Sequence, residues 1–491
     1  MLMPEKIFLH EYRNIVDDQF VGFKPNGASV KPVHIAGGSL RCIYGAIANT
    51  QKIKKLSYVA NAVGKIPNGN ELEKVYAFLT ETERIDEEVS ENELDSMRNI
   101  MQKLLASDKG VYSGTADGMV SYSAGSKYFI TKKAMYEDAG EFIGGVIKEH
   151  CSDLSQYIKE NLDAANDPVT ILFSPVLEDE PEMTFESSVH EDIPAFKLMN
   201  PAMKWYLSGI KSGGQCLLKN LKSHPNPLTQ LRLFNFFCVF HLMRYLALLE
   251  AFYCEESVRP ILLDFTKNSG SSIARASQMS YTQMHRSISR FYAWAYAQQL
   301  KLLSRDELME LETPVYDASK TSKTGQEELN LMWSLAKDEA TQCTTDDESR
   351  LIFGTTMYDM LALEASSHPV NYLRALCTQT GILHPPYNLH PNKRFVLSQD
   401  VLEMLLRCCV TPCEILNGND LRRRLWERFG VIVGGSSFEL DKLQNNGSIL
   451  QVDEDSLENN FSAFASTLES MDFAEIMADG ILQIRLGGVI G

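Results

Sequence analysis

The sequence predicts a predominantly helical α+β protein with several domains. Its 491 residues exceed what one hydrophobic core normally organises, which favours a division into domains. Apolar residues recur at spacings of three and four along much of the chain, as in amphipathic helices. Short apolar or β-branched runs bounded by polar turns, such as 168–173 and 261–265, predict short buried strands. With 44% hydrophobic and 23% charged residues, the composition excludes collagen, low-complexity disorder and a disulfide-stapled miniprotein.

The first predicted domain, residues 1–175, is mixed α/β. Up to about residue 70, glycine and proline punctuation at 24–27, 37–38 and 67–69 predicts strands and loops with one small helix. Apolar spacing then predicts two amphipathic helices, and a further helix from about 133 to 149 precedes the strand at 168–173.

Two acidic segments accompany this domain. Residues 81–95 hold eight acids against one arginine, and 178–192 hold seven acids without lysine or arginine. We place an acidic linker at 176–200. Each segment is interpreted either as a solvated linker or as a docking surface for a basic partner, as in a protein–protein scaffold.

The second predicted domain, residues 201–345, is mainly helical and basic. Between 201 and 301, twelve lysines and arginines face four acids, a local charge of +8 in a chain whose formal charge is −17. The apolar segment 228–254 carries Arg232, Arg244 and Glu250, which would be costly in a bilayer, so we expect a buried helix and no membrane. A strand at 261–265, a polar loop and an aromatic-rich helix from about 284 to 303 follow.

The third predicted domain, residues 346–491, is winged-helix-like. An acidic connector at 346–348 leads to helices at about 357–366 and 370–380, and Ser398 is predicted to cap another helix. The next helix begins at Asn419 or Asp420 and ends at Gly430, and a strand follows the turn at 479–480.

No motif establishes a chemistry. The chain lacks the phosphate-binding pattern G-x-x-x-x-G-K-[ST], the dinucleotide pattern G-x-G-x-x-G, H-E-x-x-H and G-x-S-x-G. The cysteines at 408, 409 and 413 are interpreted as core or interface residues, because adjacent helical positions cannot converge on one metal. We therefore predict no metal and no cofactor. Ten cysteines without a C-x-x-C pair, and a charged start without a signal-peptide core, predict a cytoplasmic protein.

Two basic regions are candidates for binding nucleic acid. The first comprises Lys267 and Arg275, which flank a small-residue loop that is suited to phosphate, and Arg286 and Arg290, which lie four apart on a helix. The second is the run Arg422, Arg423, Arg424 and Arg428, suited to the recognition or positioning helix of a winged-helix domain. The alternatives are a flexible turn for the loop and solvated or internally paired faces for the arginines.

Asp264 is a weak catalytic candidate. It follows an apolar strand, where a metal-binding carboxylate would lie in a nuclease. The alternative is a structural role, in which Asp264 caps the following loop or pairs with a basic neighbour such as Arg275.

The C-terminal quarter, through Arg422–Arg424, Trp426 and 429–435, resembles the uncharacterised accessory subunits of bacterial anti-phage defence operons. The resemblance implies a component that acts with an ATPase or nuclease encoded nearby. The predicted function is a non-catalytic, DNA-associated subunit of such a complex. The alternatives are a metal-dependent nuclease centred on Asp264 and a scaffold that uses the acidic segments.

Overall fold

The computed structural model confirms the predominantly helical α+β class, with few and short strands. The structure describes residues 7–25, 32–47, 96, 137–161, 183–184, 191–224, 226–254, 257–316, 323–363, 369–386, 392–446, 449, 452–478 and 480–486. The helices predicted after residue 70, the strand at 168–173, the acidic segment 81–95 and most of the segment 178–192 lie outside these residues.

The helices in the first part of the chain are α1 (Leu9–Val16, continued by a π-helical turn, Asp17–Val21), α2 (Pro32–Tyr44), α3 (Glu137–His150), α4 (Ser152–Asn161) and α5 (Pro194–Leu198). Strand β1 (Ala46–Ile47) pairs antiparallel with β2 (Met183–Thr184). The prediction that 37–38 interrupts the chain is wrong, because both glycines lie inside α2. A Cβ on Gly144 of α3 would lie 2.7 Å from Ser39 Cα, so small residues here let two helices approach closely.

The central helices are α6 (Pro201–Ser223), α7 (Pro227–Ala247), α8 (Leu249–Cys254), α9 (Ser272–Gln299), α10 (Arg305–Glu310) and α11 (Lys323–Ala340). The segment predicted as one buried helix forms α7 and α8, and most of its aromatic side chains, Phe234, Phe237 and Phe240 among them, are buried. Within the described ranges, no helix is long and apolar enough to cross a membrane.

Two helix starts differ from the prediction. Helix α9 begins three turns before the expected position, because the Ser271 side chain accepts a hydrogen bond from the Ala274 amide and caps it. The residues expected to form an acidic connector are instead the first turn of α12 (Asp346–Ala362), where Thr345 and Glu348 form a capping box. Acidic side chains are favourable there because the helix N-terminus carries partial positive charge.

The remaining elements are α13 (Pro369–Gln379), β4 (Leu383–His384), β5 (Arg394–Phe395), α14 (Gln399–Arg407), β6 (Leu416–Asn417), α15 (Gly418–Phe429), β7 (Val431–Ile432), α16 (Ser437–Asp441), α17 (Glu454–Ser470), β8 (Ala474–Ile476) and β9 (Leu482–Ile484). Ser398 caps α14 as predicted. Gly430 ends α15 as predicted, with a left-handed φ of 66°.

Strand β3 (Ile261–Leu262) joins the central and C-terminal segments. It pairs in parallel with β7, Ile261 opposite Val431, and a bridge between Leu263 and Phe395 links its end to β5. One hydrophobic core contains residues from the N-terminal, central and C-terminal parts of the described chain. The predicted domain boundaries stay predictions.

The C-terminal elements run in the order α14, β6, α15, α17, β8 and β9, with strand β7 and helix α16 inserted after α15. Strands β6, β9 and β8 form an antiparallel sheet in that spatial order. The winged-helix-like domain stays a prediction, and we call the β8–β9 hairpin the wing.

Candidate nucleic-acid interface

Helix α9 presents a basic face to solvent. Its 28 residues include no Asp or Glu, and Arg275, Arg286 and Arg290 are all exposed. At 100° per residue these three positions fall within about 60° of one another around the helix axis. From Arg275 to Arg290 the face extends for about 22 Å. A row of guanidinium groups of this length suits a run of phosphates.

The orientation of this face is fixed by the packing of the opposite side of α9. Ile288, Phe291, Tyr292 and Tyr296 are buried there. The Tyr292 hydroxyl donates a hydrogen bond of 2.9 Å to a carboxylate oxygen of Asp17, which lies in the turn after α1. The helix therefore cannot rotate its arginines inward without unpacking a large aromatic core.

Most of the positive charge on the face is not neutralised by nearby acids. Arg290 is 3.5 Å from Glu250, but its side chain is still 61% exposed, and Glu250 also pairs with Arg259 at 3.1 Å. Lys267, Arg275 and Arg286 are exposed, and none pairs with a carboxylate in the described ranges. The cations predicted from sequence around α9 therefore lie on one element and its N-terminal loop.

Asp264 is a structural residue of that loop. One carboxylate oxygen accepts hydrogen bonds from the amide and hydroxyl of Thr266, at 2.9 and 2.7 Å. The other accepts one from Arg394 Nε at 2.8 Å, and the side chain is fully buried. The predicted capping role is therefore observed, but the partner is Arg394 and not Arg275. Among the residues that the structure describes, no group of three or more side chains could hold a metal ion.

Sequence reasoning missed two cations beside α9. Arg374 on α13 and Lys393, next to β5, lie against the flank of α9 that carries Tyr281 and His285. Arg374 is an isolated basic residue in an apolar stretch, and Lys393 has only Arg394 beside it, so no longer charge run marked either residue. Only the packing of α13 and the β4–β5 hairpin on α9 brings them together.

The arginines of α15 are mostly engaged inside the protein. Arg424 pairs with Glu414 at 2.7 Å and donates to the Cys409 carbonyl, and Arg428 donates to the Cys408 carbonyl. Arg422 is 3.6 Å from Glu439, and its guanidinium lies 4.9 Å from the centre of the Phe461 ring. Arg423 is 63% exposed and pairs with Asp420 at 2.6 Å. These contacts favour the alternative of internally paired arginines over a DNA-binding face.

The position of α15 in the chain leads to the same conclusion. In a winged-helix arrangement with this order of elements, the helix before the wing, α17, and not α15, would be the recognition helix. Helix α17 contains Glu454, Asp455, Glu458 and Glu469 and no lysine or arginine. An acidic helix in that place repels a phosphate backbone.

Cys408 and Cys409 are buried side by side, as the core interpretation predicts, whereas Cys413 is exposed and is not a core residue. Burial raises the pKa of the Cys409 thiol to about 12, which leaves it protonated.

Comparison of the chain with protein-family models, curated proteins and solved structures found no match.

Proposed function

We propose that this protein is a non-catalytic nucleic-acid-binding subunit of a multi-protein complex, and that it contacts the phosphate backbone through the basic face of α9. The observation that carries the proposal is the exposed arginine row on a 28-residue helix without acids. Backbone contacts of this kind need no base recognition, so we expect little sequence preference. The anti-phage defence role implied by the resemblance, and a partner ATPase or nuclease, belong to the same proposal.

The overall charge of −17 does not oppose this role. Screening in physiological salt limits charge interactions to about 8 Å, so groups within contact distance of a phosphate dominate. Distant acids reduce non-specific attraction and make binding depend on correct docking of α9.

The test is a fluorescence anisotropy titration of labelled duplex and single-stranded oligonucleotides at about 50 and 200 mM salt. The double variant Arg275→Glu/Arg286→Glu is expected to weaken binding at least about tenfold, and to reduce the salt slope by about 2, because two phosphate contacts are lost. The matched control is Arg423→Glu, an exposed arginine on α15, which is expected to bind like the unchanged protein.

Equal affinity of the double variant and the unchanged protein would overturn the assignment of α9. Loss of binding in Arg423→Glu alone would return the interface to α15. Degradation of the oligonucleotide in the presence of Mg²⁺, abolished by Asp264→Asn, would replace the non-catalytic role by the nuclease alternative.

A second candidate function, attachment to a basic protein partner, is favoured by the C-terminal surface. Residues 443–484 contain eight acids and no lysine or arginine. At the tip of the wing, Ile476, Met477 and Ile481 are exposed beside this acidic surface. Exposed apolar residues that are bordered by acids are complementary to a partner surface whose apolar residues are bordered by lysines or arginines. This extends the scaffold alternative to a part of the chain other than the predicted acidic segments.

A further inference from the structure

A cluster of basic residues lies beside the arginine row, where α13 and the β4–β5 hairpin pack on α9. Gln278 of α9 donates a hydrogen bond of 3.2 Å to Asn392, which directly precedes Lys393. The Tyr281 ring is 6.2 Å from the ring of Phe395, and its centre is 6.4 Å from that of His285. These contacts hold the Lys393 segment against one flank of α9.

Lys393 is a buried ammonium without a carboxylate partner among the described residues. Its exposed fraction is 1%. It donates to the hydroxyl of Thr378 at 3.1 Å and to the carbonyl of Pro385. An ammonium has three N–H groups, so one donor remains for a further acceptor. The two oxygens that it contacts are neutral, so its charge is not balanced within this part of the chain.

Arg374 adds a second positive charge one helical turn away, because Thr378, which accepts from Lys393 at 3.1 Å, follows Arg374 by four residues on α13. Its Nε is buried and has no hydrogen-bond partner, and Arg374 makes no ion pair with a carboxylate in the described ranges. Burial and the charge of Arg374 together lower the pKa of both Lys393 and His285. Two like charges close together in a poorly solvated site destabilise the fold unless an anion is bound between them.

The next residue in the chain, Arg394, is a cation whose charge is balanced inside the protein. Arg394 receives a fully buried carboxylate, Asp264, at 2.8 Å. Lys393 and Arg374 receive none from the described residues. Among the described residues, the charge of Arg394 is therefore balanced by a carboxylate, whereas Lys393, which directly precedes β5, has neutral oxygens as its only partners.

We propose that Arg374 and Lys393 form a binding site for a phosphate group. The guanidinium offers paired donors that match phosphate oxygens, and the ammonium offers a point charge with one free donor. The phosphate belongs either to a nucleic-acid backbone that follows α9 or to a free phosphate compound. The site does not depend on the nucleic-acid role proposed above.

The first experiment is thermal unfolding of the full chain in increasing inorganic phosphate, with chloride at equal ionic strength as the reference. Phosphate is expected to raise the melting temperature by about 1–3 °C at concentrations well above its dissociation constant. Arg374→Gln and Lys393→Met are each expected to abolish this rise. Arg423→Gln, which removes an equal charge from α15, is expected to keep it.

The melting temperature without phosphate separates a binding role from a structural one. Removing one of two unbalanced like charges is expected to leave Arg374→Gln at least as stable as the unchanged protein. If Arg374 were only a packing residue, the variant would melt lower and its response to phosphate would equal that of the unchanged protein.

The two sources of phosphate are separated by repeating the measurements with adenosine monophosphate and with a duplex oligonucleotide. A response to phosphate and the mononucleotide, with oligonucleotide affinity unchanged in Arg374→Gln, identifies a free ligand. Lower oligonucleotide affinity in Arg374→Gln, without a response to the small anions, identifies the nucleic-acid backbone. No response to any anion and unchanged oligonucleotide affinity would overturn the site, whatever the outcome for Arg275 and Arg286.

Discussion

Asp17 shows how single residues fix the orientation of α9. The carboxylate is buried, accepts a hydrogen bond from Tyr292 of α9, and lies 3.3 Å from Arg13 of α1. Burial raises the pKa of Asp17 to about 7, although Arg13 and Tyr292 act in the opposite direction. The free-energy cost of burying the charged Asp17 carboxylate exceeds the stabilisation that it receives from Arg13 and Tyr292.

This shift predicts a pH-dependent stability. The pKa of Asp17 in the folded protein lies above its value near 4 in an unfolded chain, so the folded protein retains a proton that the unfolded chain releases. Stability from this group is present below about pH 4 and is lost as the pH rises towards 7. In Asp17→Asn, the free energy of unfolding in urea is expected to lose this decline between about pH 4 and 7. An identical decline in the variant would contradict the assignment.

At the scale of elements, the local sequence correctly predicted the helix ends that are determined by residues within one turn. The cap at Ser398 and the stop at Gly430 were found because each depends on residues within one turn. The start of α9 was missed, since its first three turns are rich in serine, glutamine and threonine and have no strong apolar period of their own. Their helical state depends on the N-cap and on packing against β3 and β5.

The residues of the candidate interface likewise divide into those that the sequence identified and those that only the tertiary packing reveals. The sequence identified the α9 cations, because α9 contains no acid that could pair with them within the helix. It overvalued the arginines of α15, whose partners Glu414 and Glu439 and the carbonyls of Cys408 and Cys409 depend on how the chain turns around that helix. Arg374 and Lys393 were missed because their proximity depends wholly on tertiary packing.

The β8–β9 wing is the element that tests attachment to a partner. Ile476 and Ile481 are 44% and 50% exposed at its tip, so replacing both with serine removes apolar contact area without opening the core. We expect Ile476→Ser/Ile481→Ser to lose co-purification with the proposed partner subunit, and to melt at the same temperature as the unchanged protein. The control is Leu331→Ser/Leu335→Ser on α11, two residues that are also exposed. Retained co-purification in the wing variant would exclude the wing as the attachment site.

At the scale of the whole molecule, the packing crosses the domain boundary predicted near residue 345. Strand β3 lies between β7 and the end of β5, both of which come from the C-terminal segment. Gly209 of α6 lets the backbone of α15 approach at Arg428, where any side chain would clash. The Asp264–Arg394 pair also links the two segments across 130 positions of sequence.

These connections predict that the two segments do not fold independently. A fragment of residues 1–345 lacks both neighbours of β3, and it leaves the buried Asp264 without its cation. Breaking a buried ion pair by removing one partner costs about 3–5 kcal/mol, a large share of typical domain stability. We expect neither 1–345 nor 346–491 alone to show a cooperative urea transition by circular dichroism. Co-expression of the two fragments is expected to restore one.

The two fragments also separate α9 from the cations that flank it. Arg275 and Arg286 lie in the first fragment, whereas Arg374 and Lys393 lie in the second. The co-expressed pair is therefore expected to recover phosphate stabilisation together with its cooperative transition, because the phosphate site forms only where α13 and β5 pack on α9. A cooperative transition of 346–491 alone, with an undiminished phosphate response, would show that the C-terminal segment folds and binds without α9.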